Sequence, residues 1–209
     1  MIAAPAEPES EPPSWRWRVT PPALDLANGL VLGAVARLHQ LTEAVRQDAV
    51  IDVLPHNTLL SELHGILARG GPWFGEHMFV EAVETVLPVV KAIETPLVFS
   101  NGDYNPGNFL FDGEKVTGFV DFQFACFEDP HIGFGKYWTY DWYPLNKAGI
   151  VERYLETQSL TLADFAPRLA VRCLWTLARG IAVEGGDNAH RMYRERILEL
   201  LRDALRWMD

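Results

Sequence analysis

The residues able to do chemistry gather in one stretch, SNGDYNPGNFLFDGEKVTGFVDFQFACFEDP, residues 100–130. Three oxygen-bearing side chains stand out there: Asp103, Asn108 and Asp121. A carboxylate with a carboxamide suits a hard cation, and Mg²⁺ is usually held by one or two such protein groups while phosphates and water fill the rest. A second carboxylate, not spent on the metal, can accept a proton from a hydroxyl. A base, an Asn and a metal-binding Asp together are the parts that phosphoryl transfer in kinases uses. Asp and Asn also favour turns for local hydrogen-bonding reasons. For one of them the turn reading would suffice. Three at this spacing, around a YNPG loop, point to chemistry.

The elements that must position these residues follow from the pattern around them. PLVFSN is a short apolar run with β-branched and aromatic character. NFLFD and KVTGFVD follow, separated by Gly113-Glu114, which reads as a hairpin. Such a hairpin opens at Asn108 and closes at Asp121, so the two meet at one end. The tight YNPG loop returns Asp103 to the same place. Helices flank this insert. Residues 25–47 carry Leu30, Val31, Ala34, Val35, Leu38 and Leu41 at three- and four-residue steps. Asn57 is placed to cap a second helix with Leu59, Leu60, Leu63, Ile66 and Leu67 on one stripe, ended by Gly70-Gly71. A third is expected over about 76–93, with a bend at Pro88. Thr161 and Asp164 suggest a capping box for a helix over 162–183. Gly185-Gly186 breaks that pattern, and Asn188 opens a last helix bearing Met192, Leu198, Leu201 and Leu205. The expected fold is α+β and mostly helical, with a small β-hairpin insert.

Composition bounds the rest. The 209 residues allow one large domain, and 48% hydrophobic with 22% charged is ordinary for a globular chain. The net charge of −10 argues against nucleic acid or an anionic membrane as partner. No apolar run approaches a membrane span. Cys126 and Cys173 are too few for a disulfide framework and read as small apolar residues, which points to a cytoplasmic setting. Six of the 14 prolines lie in the first 22 residues, so residues 1–23 read as an arm, with a WRWR stretch that docks it. The run Tyr137–Tyr143, with Asp141, reads first as core or interface and second as a pocket wall. His39 reads as a packed or half-exposed helix residue. Glu128 and Asp129 read as neighbours of the site, and Asp129-Pro130 reads also as a turn.

NGDYNPGNFLF followed by VDFQ resembles the paired motifs of the aminoglycoside phosphotransferase and choline-kinase-like family. FEDP is similar to that family's later G-D-P, and LGAVARLHQL to the helix that opens its C-terminal lobe. The resemblance spans roughly residues 24–206. It implies a protein-kinase-like C-terminal lobe over residues 24–209, with the hairpin carrying the catalytic loop. It implies transfer of the γ-phosphoryl of ATP to a small hydroxyl compound. Asp103 would be the base, with Mg²⁺ on Asn108 and Asp121 and with Asn101, Tyr104, Asn105 and Gln123 in support. There are departures. The family's His is Asn101 here. An Asp that braces the catalytic loop is replaced by Gly133. The N-terminal nucleotide lobe, with its phosphate-contacting Lys, has no counterpart, so residues 1–23 read as a hinge remnant. These departures support an alternative: an inactive or truncated lobe that binds a ligand or protein, with a second copy or a partner covering the exposed lobe surface.

Overall fold

The computed structural model describes residues 21–48, 54–70, 74, 76–139, 149–179 and 188–209. Helix α1 (Pro21–Gln40) begins inside the last residues read as the arm. Two prolines fit its first turn, where their missing N–H groups would have no helical partner. Val31, Ala34, Val35 and Leu38 form its buried face. The helix expected over 25–47 is interrupted at Leu41, and α2 (Thr42–Gln47) continues it with no buried residue. Thr42 sits at the break. Its hydroxyl donates to the His39 carbonyl at 2.6 Å and accepts the Phe99 N–H at 2.9 Å.

Asn57 is not the cap expected of it, because it lies in the short strand β1 (His56–Asn57). The cap of α3 (Leu59–Arg69) is Thr58, whose side chain accepts the Ser61 N–H. The helix ends at Gly70, whose φ of 67° suits the glycine expected there. Helix α4 (His77–Ala92) runs through Pro88 and buries Phe79, Ala82, Val86 and Val90.

Strands β2 (Val98–Ser100), β3 (Phe109–Asp112), β4 (Lys115–Phe119) and β5 (Cys126–Glu128) make two small sheets. β3 and β4 pair antiparallel across Gly113-Glu114, with Phe109 opposite Phe119 and an irregularity at Leu110/Phe111. β5 lies between β1 and β2, parallel to the first and antiparallel to the second. The sequence pattern gave no sign of β1 or β5. Strands of two and three residues are too short to show a period.

The second half is helical: α5 (Gly135–Thr139), α6 (Ile150–Gln158), α7 (Leu162–Ala178) and α8 (Asn188–Met208). Thr161 and Asp164 form the expected capping box. α7 is buried almost all round and packs against α3, α4, α5 and α8. A helix that is apolar on every side belongs in the middle of a domain. Gly185-Gly186, beyond the end of α7, lies outside the described residues.

Of the aromatic run, Tyr137 is buried and Trp138 packs edge-on against Phe165, as the core reading expects. Residues 140–143 lie outside the described residues. Cys126 and Cys173 are buried, and burial pushes both thiols up. Among the described residues no helix is long and apolar enough to cross a membrane.

Candidate active site

Asp103 lies in the loop between β2 and β3, and the loop is shaped by its own polar side chains. Asn101 is fully buried. Its amide donates to the Asp103 carbonyl at 3.0 Å and its Oδ1 accepts the Asp103 N–H at 3.3 Å. Asn108 donates to the same carbonyl at 3.1 Å. Asp103 Oδ1 accepts the Asn105 N–H at 3.1 Å, and Asn105 Oδ1 accepts the Gly107 N–H at 3.0 Å. These short-range bonds are the ones Asx side chains make in turns. They wind 106–108 into a single 3-10 turn and set Asn108 at the start of β3.

Two contacts bring the Asp121 loop to this place. The Val120 N–H donates to the Asn108 carbonyl at 2.9 Å, so the chain enters Asp121 beside Asn108. Gly102 has a φ of +77°, and a Cβ there would lie 2.2 Å from the Phe124 carbonyl oxygen. Only glycine permits both the angle and the approach. Asp121 itself adopts a φ of 60°. A non-glycine residue held in the left-handed region stores strain, a feature that clusters at functional sites. Asp121 is exposed, and its carboxylate has no hydrogen bond or ion pair among the described residues. Gln123 is exposed in the turn closed by the Ala125 N–H on the Phe122 carbonyl, and it makes no bond to Asp103 or Asn108.

Tyr104 anchors the loop from below. Its ring is buried, and its hydroxyl lies 2.7 Å from His39 Nε2. Burial lowers the His39 pKa to about 4, so the ring is neutral at neutral pH. The Tyr104 ring also explains Gly133. A Cβ at that position would lie 2.4 Å from the ring. Where an Asp was expected to brace the loop, this chain has an aromatic ring filling the space instead.

Two charged residues, Lys136 and Arg168, escaped the sequence reading, and Glu128 was read there only as a neighbour of the site. Lys136, on α5, forms an ion pair with Asp103 Oδ1. Arg168, on α7, pairs with Asp129, which is buried as a structural anchor. Glu128, at the end of β5, has its pKa raised to about 7. Burial is the main cause, the Ser100 hydroxyl partly opposes it, and Glu62 adds to it. Between the ordinary 4.5 and about 7, the folded chain keeps a proton that the unfolded chain has lost. Stability contributed at this position therefore falls as pH rises through that window. Burial of neutral His39 acts in the opposite sense between about 4 and 6.5. The difference between wild type and Glu128→Gln isolates the Glu128 effect. Urea denaturation across the window should show wild type losing ground to the variant, with no further loss at higher pH. A difference that stays flat would show that Glu128 is not held protonated.

The mostly helical α+β fold around small sheets is similar to that of solved kinase-like phosphotransferases. Two solved structures share it. One is a candidate aminoglycoside phosphotransferase from Ralstonia eutropha JMP134, at TM-score 0.55 and 12% identity over 91% of this chain and 67% of that one. The other is a choline/ethanolamine kinase family protein from Mesorhizobium loti, at TM-score 0.54 and 17% identity over 90% and 70%. The chain belongs to the phosphotransferase enzyme family, whose model matches residues 9–170. No curated protein matches it significantly.

Proposed function

We propose that this chain transfers the γ-phosphoryl of ATP to the hydroxyl of a small molecule, with Asp103 as the base. The observation that carries this reading is the fixed Asp103 carboxylate in a loop bonded to Asn108 and packed on the Asp121 loop. In the transfer, the acceptor oxygen forms a bond to Pγ as its bond to the β–γ bridging oxygen breaks. The electron pair leaves with ADP, and the acceptor proton passes to Asp103. The chain contributes chiefly by placing reactants and stabilising charge.

The donor set fits Mg²⁺. Asn108 uses its amide nitrogen on the Asp103 carbonyl, which leaves Oδ1 as an oxygen donor. Asp121 offers an exposed carboxylate with no competing partner among the described residues. Hard oxygen ligands of this kind are what Mg²⁺ takes, alongside phosphates and water. When bound, the ion would offset phosphate charge. Calorimetry with MgATP tests the reading on the full chain. Binding that requires Mg²⁺, and that weakens at least tenfold in Asp121→Asn, is the expected result. Absence of nucleotide binding by the wild type would remove it.

A second reading has its own observation. Leu110, Val120, Phe122 and Phe124 are all exposed around the hairpin, Phe124 at 63%. Apolar groups gathered next to a site mark a surface that binds something. In this reading the chain is a non-catalytic lobe whose hairpin face docks a second copy or another protein. A monomer in light scattering that also turns over ATP would contradict it.

A further inference from the structure

Within the loop motif the Asp103 carboxylate has one protein partner, the Asn105 N–H. Its second partner comes from 33 residues further on, where the ammonium of Lys136 meets the same Oδ1. The chain takes deliberate-looking steps to deliver that lysine. Asp129 is anchored by Arg168 at 2.9 Å, which fixes the exit from β5. A 3-10 turn at Ile132–Phe134 follows, and Gly133 lets the Tyr104 ring lie against it. Gly135 then brings α5 close onto α7, where an added Cβ would lie 3.4 Å from Arg172 Cβ. The next two residues both grip the loop. Lys136 takes the Asp103 side chain, and the Tyr137 hydroxyl donates to the Tyr104 carbonyl. α5 is a two-point clamp on the motif.

Lysine is among the residues least often buried, and Lys136 keeps only 19% of its side-chain exposure. Among the described residues, the charged groups facing it include Asp103 on the loop, Glu128 on β5 and Arg172 on α7. Burial and Arg172 weaken its hold on its proton, while Asp103 and Glu128 strengthen it, and the balance sets its pKa below the ordinary lysine value. A stabilising ion pair does not need to fall on this carboxylate. The placement has a consequence for the site: with Oδ1 held from two sides, Oδ2 has no hydrogen-bond partner among the described residues.

We propose that Lys136 is a positioning residue for Asp103: with the Asn105 N–H it holds Oδ1, and so presents Oδ2 to the acceptor hydroxyl. This rests on the phosphotransfer reading above. The acceptor's proton then has one defined destination, and the carboxylate cannot rotate to offer the wrong oxygen.

The test uses the full chain with MgATP, and with water, amino alcohols and sugars as acceptors. Lys136→Met should lower kcat by about 10–100-fold, in line with the cost of misplacing a reacting group, with KM for MgATP changed less than about twofold. Lys136→Arg should restore most of the loss. In the wild type kcat should fall on the alkaline side as Lys136 loses its proton, below the pH at which ordinary lysines titrate. That limb should move up in Lys136→Arg. In an Asp103→Asn background, Lys136→Met should add nothing, because it acts through Asp103. An unchanged kcat in Lys136→Met overturns the proposal, and so does an equal loss in both backgrounds.

A readout independent of turnover separates the two readings. The chain has four lysines, Lys91, Lys115, Lys136 and Lys147, so ¹³C-lysine NMR can follow Lys136 alone. Asp103→Asn should shift its titration to lower pH. A chain that turns over ATP while Lys136 ignores Asp103→Asn overturns the positioning role only. A wild type without turnover overturns the phosphotransfer reading, and the positioning role with it.

Discussion

Asp103→Asn is expected to lower the rate of phosphoryl transfer by about 10²–10⁴-fold, the range that a positioned general base contributes. At 1.36 kcal/mol per tenfold, this is about 3–5 kcal/mol of barrier. The substitution keeps the shape of the loop. The amide oxygen can still accept the Asn105 N–H, and the backbone bonds from Asn101 and Asn108 go to the carbonyl, which is unchanged. The variant loses the negative charge that attracts the acceptor proton and pairs with Lys136. MgATP affinity should therefore stay within a few-fold of wild type while kcat falls. Steady-state kinetics with MgATP and a panel of small alcohols, beside calorimetry for the nucleotide, separates the two quantities. An undiminished kcat would show that Asp103 is not the base. A loss seen only in nucleotide affinity would assign it to binding instead.

Arg168→Ala should have the largest effect on stability, about 3–5 kcal/mol, because it leaves a buried carboxylate without its charge partner. Arg168 binds Asp129 through two nitrogens, reaches the Asp164 carbonyl at 2.9 Å and reaches the Thr95 hydroxyl at 3.0 Å. Asp129 retains only 2% of its side-chain exposure, so in the folded chain the guanidinium stands in for solvent around its carboxylate. For a chain of this size, the melting temperature should drop by roughly 10 °C. The exposed pair Arg206–Asp203 on α8 is the control, since such pairs contribute at most about 1 kcal/mol. Thermal denaturation of both variants provides the comparison. Similar shifts would mean that the Arg168 pair is more solvated than its burial indicates. The double variant Arg168→Met/Asp129→Leu should recover much of the loss, because removing both charges removes the unpaired one. The pair also has a functional consequence: it fixes the chain that leads from β5 to Lys136.

The loop motif was open to sequence reading because its geometry is local. Asn101, Asp103, Asn105 and Asn108 bond across two to five residues, and side chains this short make those bonds wherever the chain turns. The pairing of β3 with β4 was readable for a similar reason, since Gly113-Glu114 and the apolar residues on either side specify a hairpin within a dozen positions. Helix caps were less secure. Asn57 and Thr58 are both cap types, Asn the better one by propensity, and the choice was made by β1 pairing with β5, a partner about 70 residues away.

The family was recognisable from NGDYNPGNFLF and VDFQ, a resemblance that the family model over residues 9–170 bears out. How Asp103 is held did not follow. Lys136 sits in an aromatic stretch with no periodic or motif signal, and it reaches Asp103 only once Arg168 has fixed Asp129 and Gly135 has let α5 close on α7. Gly133 makes the same point. In the sequence it is a missing brace, and in the fold it is the space taken by Tyr104. Short-range hydrogen bonds determine which groups this chain can bring to a reaction. Burial, close backbone approach and ion pairs between distant elements decide where those groups point, because these contacts join residues far apart in the sequence.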